Sequence, residues 1–218
     1  MTGKTNDPHT LIPYSAHETA TIDPFAQIGT GTKIWHYSHL MNDCEVGIDC
    51  RIGQNVYIAE KVQIGNRVSI QNNVSVYCGV VIEDDVFVGP NVTFTNVRYP
   101  RAFISRKHQY ESTILGQGCS IGANTTIRCG LKIGSYAMIG AGSLLLKSVP
   151  DYALFAGHPA RQVAWVGRRG VPLVITAPPL DRDQLKSSAE LGEQYFQCPE
   201  SSDQFIQKNG YLEPLSNA

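Results

Sequence analysis

Every sixth residue from Ile22 to Phe94 is apolar: Ile22, Ile28, Ile34, Leu40, Val46, Ile52, Ile58, Ile64, Ile70, Val76, Ile82, Val88 and Phe94. The position four further on is small or β-branched each time, from Ala26, Thr32 and Ser38 through Cys44, Cys50 and Val56 to Val92. After an interruption the register resumes at Leu115, Ile121, Ile127, Ile133, Ile139 and Leu145. Aliphatic residues make up roughly a quarter of an ordinary chain, so thirteen hits in register are no accident of composition. A period of six suits neither the helical spacing nor the alternation of an ordinary strand. It is the repeat of a parallel β-helix.

That repeat dictates a shape. Each hexad supplies one short strand and one corner. Its first residue fills the interior, and its fifth faces in near the corner, where only a small or β-branched side chain fits. Three hexads close a triangular coil of about 18 residues, and stacked coils lie about 4.8 Å apart. Residues 18 apart in the sequence therefore stand one above another. The expected organisation is an N-terminal arm over 1–20, a β-helix over 21–165 with an inserted loop at 95–114, and a C-terminal extension over 166–218.

Composition removes several classes of function. The 218 residues carry a net charge of −1, which gives no broad electrostatic footprint for nucleic acid. No apolar run is long enough to cross a membrane, and the opening MTGKTNDPHT lacks the apolar core of a signal peptide. Of six cysteines, Cys44, Cys50 and Cys119 occupy inward fifth places and read as small buried thiols. No CxxC pair is present, so no zinc spacing is read and no metal is expected. A reducing cytoplasm is the natural setting.

The hexads IWHYSH, IGQNVY, IQNNVS and VGPNVT stack their corner residues into a column: His36 and Tyr37, Gln54 and Asn55, Asn72 and Asn73, Pro90 and Asn91. Two readings stand side by side, a ladder that grips a ligand and a ladder that merely satisfies tight turns. The neighbouring insertion, TNVRYPRAFISRKHQYESTI, breaks the repeat and must leave the helix as a loop. A long patternless loop in a compact repeat is usually functional. Its Arg98, Arg101, Arg106 and Lys107, interleaved with Tyr99, Phe103 and Tyr110, suit a phosphorylated, ring-bearing ligand such as a nucleotide sugar. The alternative is a solvated loop that packs on a neighbouring subunit. Beyond it, Gly122, Ala123, Gly140, Ala141 and Gly142 form a bare wall on which a pantetheine arm can lie. Lys147 and Arg161 are candidates for the phosphates of coenzyme A.

At this point the sequence resembles a known family. SVPDYALFAGHPARQVAWV after IGAGSLLLKSV looks like the closing segment of hexapeptide-repeat acyltransferases. With IWHYSHL, IGQNVYI, IQNNVSVY, EDDVFVGPNVTFTNVRYPRA and IGANTTIRCG in that order, the chain is most similar to the N-acetyltransferases that act on 3-amino groups of nucleotide-linked sugars. Among these it looks most like the UDP-2-acetamido-3-amino-2,3-dideoxy-glucuronate N-acetyltransferases of lipopolysaccharide O-antigen synthesis. The resemblance implies an all-β fold, a left-handed parallel β-helix of hexapeptide repeats with an extruded loop and a small C-terminal extension. It also implies a homotrimer, with acetyl-CoA and a UDP-amino sugar meeting in a cleft between adjacent β-helices.

Such a reaction moves an acyl group from a thioester to an amine, and needs a neutral amine, a polarised carbonyl and a route for one proton. The six histidines (His9, His17, His36, His39, His108 and His158) leave the central Asn72–Asn73 corner empty. This argues against a dedicated histidine base. Asn73 or Asn72 is the expected holder of the amine, or of a water beside it, with a backbone N–H for the oxyanion. His36, Asn55 and Asn91 would line the sugar, and Glu83 and Asp84 would bind its hydroxyls. A uronate carboxylate would pair with Arg101 or with one of Arg98, Arg106 and Lys107. Two other readings remain open: a sister enzyme for dTDP-linked 3-amino-3,6-dideoxyhexoses, and a non-catalytic β-helix that binds a partner. A zinc-dependent carbonic anhydrase on the same fold would need three histidines across a subunit boundary, and His36 and His39 have the wrong spacing.

In the extension, VPLVITAPPL reads as extended, residues 181–195 as one short helix, and the end of the chain as a hairpin about Asn209–Gly210. The extension is expected to cover the last coil, which otherwise exposes unpaired strand edges.

Overall fold

The computed structural model describes residues 13–177 and 193–215. Its strands form three parallel stacks, the faces of a triangular column. Face one is built from β1 (Ser15–Ala16), β4 (Lys33–Ile34), β7 (Arg51–Ile52), β10 (Ser69–Ile70), β13 (Phe87–Val88), β16 (Ser120–Ile121) and β19 (Met138–Ile139). Face two holds β2 (Thr21–Ile22), β5 (His39–Leu40), β8 (Tyr57–Ile58), β11 (Ser75–Val76), β14 (Thr93–Phe94), β17 (Thr126–Ile127) and β20 (Leu144–Leu145). Face three holds β3 (Gln27–Ile28), β6 (Glu45–Val46), β9 (Gln63–Ile64), β12 (Val80–Ile82), β15 (Thr113–Leu115) and β18 (Lys132–Ile133). This is the all-β, parallel β-helix that the sixfold repeat calls for.

Register follows the arithmetic of the sequence. Ser69 pairs with Arg51 below it and Phe87 above, each 18 residues away. Across the insertion the partners are 33 apart, as in Phe87 with Ser120 and Thr93 with Thr126. One coil is thus 15 residues longer than the rest, and the pairing above it is undisturbed.

The first hexad residues make the interior: Leu40, Ile52, Ile58, Ile70, Ile121, Ile127 and Ile133 are fully buried. Fifth places carry small groups because the chain turns there. Where they are polar they are bonded. Thr32 Oγ1 donates to the Gly47 carbonyl at 2.8 Å and accepts from Cys50 N–H at 3.0 Å. Ser38 Oγ likewise donates to Gly53 and accepts from Val56. Burial pushes the Cys44 thiol up to about 11 and Cys119 up to about 12, which marks both as inert core groups. Corners need left-handed backbone, and Asn55, Asn73, Asn91 and Asn124 supply it at φ 56°, 61°, 57° and 57°. At Gly122 coil spacing also excludes a side chain: a Cβ there would lie 2.5 Å from the Ala141 nitrogen.

The β-helix begins earlier than expected. Ser15–Ala16 already pairs with Lys33–Ile34, so residues 13–20 belong to the first coil. The rest of the expected arm, 1–12, lies outside the described residues. At the far end, β21 (Ala153–Gly157) continues face one and folds back as an antiparallel hairpin with β22 (Ala160–Trp165).

The extension is a four-stranded antiparallel sheet of β23 (Val174–Thr176), β24 (Gln194–Gln197), β25 (Gln204–Lys208) and β26 (Tyr211–Pro214). The expected turn at Asn209–Gly210 joins β25 to β26, both residues at positive φ. The sheet packs on the closing coil: Phe205 meets the Tyr152 ring edge-on at 5.3 Å, and Trp165 Nε1–H donates to Gln207 at 3.1 Å. Of the helix expected over 181–195, residues 181–192 lie outside the described residues, and Gln194–Tyr195 is strand instead. Tyr195 and Phe196 are buried there, so sheet packing overrides the helical propensity. Among the described residues no helix is long and apolar enough to cross a membrane.

Candidate active site

The triangular section has three edges, and the residues singled out from the sequence are divided among them. The first edge joins face one to face two. Here Asn55 Nδ2 donates to Asn73 Oδ1 at 3.0 Å, and Asn73 Nδ2 donates to Asn91 Oδ1 at 3.1 Å. Asn72 Oδ1 accepts the Gln54 N–H at 2.9 Å. The column is therefore a working turn ladder, although Asn72 and Asn73 both remain exposed. His36 stands at its foot, stacked 3.5 Å from His17. Gly122, Ala123 and Ala141 continue the same edge upward. The Gly122 N–H bonds Ile139, and the Gly142 N–H bonds Ala123. The Ala123 and Ala141 N–H groups do not donate in this ladder, which leaves them for a ligand.

The insertion leaves from the second edge, between faces two and three. Its neck is tied by the Glu111 N–H to the Asn96 carbonyl at 3.0 Å and by an Arg98–Glu111 ion pair at 2.7 Å. The Glu111 carboxylate beside it pushes the Arg98 guanidinium further up. Arg98 is thus a latch. Arg101, Arg106 and Lys107 instead line an open cavity of about 720 Å³ within the loop, together with Phe103, Ile104 and Tyr110. Lys107 opens a single 3-10 turn, Lys107–Gln109. Arg106 Nη1 donates to Gln109 at 2.8 Å, while its Nε is buried without a partner. Phe103, a large aromatic ring, is 84% exposed.

A smaller cavity, about 330 Å³, lies beneath the loop against the β-helix wall. It shares Lys107 and Tyr110 with the larger one and adds Met41, Tyr57, Glu60, Tyr77, Cys78 and Asn96. These residues were not among the candidates drawn from the sequence, yet the register contains them. The loop departs at Thr95, and stepping back by 18 gives Tyr77, then Ala59, then Met41. Counting alone therefore identifies the corner residues under the insertion. Beside this cavity His39 Nε2 sits 3.0 Å from Asp23 Oδ1, with its ring edge-on to Tyr57 at 5.9 Å. Among the described residues it is the histidine with a carboxylate partner.

The third edge, between faces three and one, corrects an expectation. Glu83 and Asp84 sit here, on an edge that holds neither the asparagines nor the loop. Glu83 accepts the Gln117 N–H at 2.8 Å, and Asp84 accepts the Asn66 N–H at 2.8 Å. Arg67 pairs with Asp84 at 3.3 Å and Asp85 at 2.6 Å. The bonds from Asn66 hold Asp84 below the usual carboxylate range, and the Arg67 bond does the same for Asp85. Their oxygens stitch one coil to the next. Lys147 and Arg161 are both exposed near the closing end, Lys147 just after β20 at the second edge and Arg161 on β22. Lys147 stands off the first-edge wall within one chain, whereas Arg161 pairs with Ala156, which lies over Gly140 at the top of that wall. Among the described residues no three His, Cys, Asp or Glu side chains gather as a metal site.

Comparisons with known proteins agree with this architecture. The family model described as bacterial transferase hexapeptide (six repeats) matches residues 18–60, 61–96 and 112–147, more than half of the chain. A dTDP-3-amino-3,6-dideoxy-alpha-D-galactopyranose 3-N-acetyltransferase of Aneurinibacillus thermoaerophilus is 54% identical over 54 residues, covering 25% of this chain and 28% of that protein. The galactoside O-acetyltransferase of Escherichia coli is 34% identical over 93 residues, 41% of this chain and 46% of that protein. The chain thus spans less than half the length of either relative. A hexapeptide transferase family protein from Anaplasma phagocytophilum has the same fold at a TM-score of 0.51 and 20% identity, over 82% of this chain and 88% of that one. The hexads, the corner ladder and the family match lead to one conclusion: the chain belongs to the bacterial hexapeptide transferases.

Proposed function

We propose that the protein is an acetyl-CoA-dependent N-acetyltransferase that acetylates the 3-amino group of a UDP-linked 2-acetamido-3-amino-glucuronate, for lipopolysaccharide O-antigen sugar synthesis in the cytoplasm. The observation that carries this reading is the insertion cavity. Arg101, Arg106 and Lys107 gather around it beside Phe103 and Tyr110, which suits a diphosphate next to a stacking base. The unpartnered Arg106 Nε is a donor in want of an acceptor.

In this reading the working unit is a homotrimer. The first edge of one subunit faces the loop of the next, so Asn72, Asn73 and their neighbours His36, Asn55 and Asn91 meet the sugar there. The pantetheine arm lies along Gly122, Ala123 and Ala141, and Lys147 and Arg161 approach its phosphates. The amine lone pair attacks the thioester carbon, and the carbonyl π electrons move to oxygen, where the Ala123 or Ala141 N–H stabilises the charge. The C–S bond then breaks. Sugar amines titrate near an α-amino group, about 7.7–8.0, so a useful fraction is neutral without a base. The departing thiolate, with a free-thiol pKa of about 8.5, takes the proton directly or through water. Asn73 or Asn72 fixes the amine for attack, and orientation supplies much of the rate.

A second reading, transfer to a dTDP-3-amino-3,6-dideoxyhexose, is favoured by the activity of the Aneurinibacillus relative. A thiol-release assay with acetyl-CoA and both nucleotide sugars separates the two. Turnover with the uronate alone is the expected result. Turnover with the dideoxyhexose alone would replace the acceptor and keep the chemistry. Silence with both, in folded trimeric protein, would point to another acceptor or to a binding role.

A further inference from the structure

The smaller cavity has a charge pattern of its own. Glu60 and Lys107 both line it, and neither is held in an ion pair by another described residue. They stand as an unpaired anion and an unpaired cation around one groove. Tyr57 and Tyr77, ring centroids 6.2 Å apart and tilted by 58°, line the same groove, as does Asn96. The volume of about 330 Å³ is at the small end for ligand sites. It holds one sugar ring rather than a nucleotide. Its two shared residues, Lys107 and Tyr110, join it to the larger cationic cavity, so a ligand can occupy both at once.

From this we infer that the groove is the pocket for the sugar ring, and that it selects a pyranose bearing both a carboxylate and an amine. Lys107 pairs with the carboxylate. Glu60 accepts the N–H of the amine. Tyr57 and Tyr77 offer aromatic faces to the C–H faces of the ring, and Asn96 bonds a hydroxyl or the acetamido group. A neutral sugar would leave the Lys107 ammonium and the Glu60 carboxylate facing bare carbon, so it is rejected as well as less attracted. This deepens the function proposed above and rests on it for the identity of the acceptor. The loop arginines are thereby left to the diphosphate.

The test is calorimetric binding, run beside the thiol-release assay. Wild-type protein, Lys107→Met and Glu60→Gln are each titrated with UDP-2-acetamido-3-amino-glucuronate and with UDP-N-acetylglucosamine, which lacks both charged groups. Lys107→Met and Glu60→Gln are expected to bind the charged sugar about tenfold more weakly or worse. Glu60→Gln should bind UDP-N-acetylglucosamine at least as tightly as wild type does, and Lys107→Met, which also borders the larger cavity, should lose less for that sugar than for the charged one; thermal melts show that both are folded. Variants that bind the charged sugar as wild type does would overturn the groove assignment, even with turnover intact. Wild-type protein that prefers the neutral sugar would overturn it too. Charge-dependent binding without thiol release would leave the groove standing and remove the acetyl transfer.

Discussion

Arg98 and Glu111 are 13 residues apart in the chain and 2.7 Å apart in space. They close the neck of the insertion. Both are partly exposed, so the pair adds little to global stability. Its effect is local. Arg98→Ala should leave the melting temperature almost unchanged while trypsin cleaves the loop faster at Arg101, Arg106 or Lys107. The KM for the nucleotide sugar should rise with kcat less affected. A loop as resistant as wild type would mean that the Glu111–Asn96 backbone bond alone holds the neck.

Asn73 has two duties to separate. It holds a left-handed corner at φ 61° and links Asn55 to Asn91. Alanine would strain the corner by roughly 1–2 kcal/mol, confusing turnover with stability. Glycine keeps the turn. Asn73→Gly should fold and assemble, yet lose about tenfold or more in kcat. Wild-type turnover would reduce Asn73 to a rung of the ladder. The Asn72→Ala, Asn73→Gly double variant extends the same comparison.

Histidine chemistry is open to a direct check. His36→Ala and His108→Ala should keep turnover within about tenfold of wild type, because the amine needs no dedicated base. The stricter case is His39→Asn, which removes the partner of Asp23. It too should cost less than about tenfold. A thousandfold loss, together with a flattened acid limb of the pH–rate profile, would identify His39 as a general base.

The third edge predicts a pH dependence of stability. Asp84 and Asp85 have folded pKa values below the ordinary 3.8. Their contribution is therefore complete above the unfolded value and is lost as pH falls through the lower folded values. Thermal melts taken downward from about pH 6 should show wild type losing stability below about pH 4. The Asp84→Asn, Asp85→Asn variant should start lower and lose less over that window. Parallel curves would show that other carboxylates govern acid unfolding.

If the protein is the proposed trimer and first-edge asparagines of one subunit serve the groove of its neighbour, two impaired proteins should rescue each other. Trimers assembled from equal amounts of the Asn72→Ala, Asn73→Gly double variant and Lys107→Met would contain intact sites at about a quarter of their interfaces. Thiol release near a quarter of wild type is expected. No recovery in verified mixed trimers would place the asparagines and the groove in unconnected roles.

Much of the fold was legible because one rule fixes it locally. Ile70 is buried and Asn73 turns for reasons contained in a single hexad, and pairing at 18 follows by counting. The first coil escaped because Ala16, the residue six before Ile22, is small and exposed, so it gives no aliphatic mark. The site was harder to read. Loop cations were visible as a cluster, but Arg98 reads like Arg101 until the neck is seen to place Glu111 beside it. Glu83 and Asp84 carry the right groups for sugar hydroxyls, and only the edge on which they fall shows them bound to Gln117 and Asn66. Tyr77 could be counted out, 18 residues before Thr95, but which loop groups return over it and over Tyr57 and Glu60 no periodicity encodes.

The 15 added residues leave the register above and below unchanged. The scaffold is indifferent to what is hung from that edge, provided the chain re-enters one corner later. Recognition is then modular: residues 96–111 could be exchanged for the loop of another acceptor class without repacking a single interior isoleucine. The larger cavity would travel whole with the graft, as would Asn96, Lys107 and Tyr110 of the smaller one, while Tyr57, Glu60 and Tyr77 would stay behind on the column as the part that must be retuned to match.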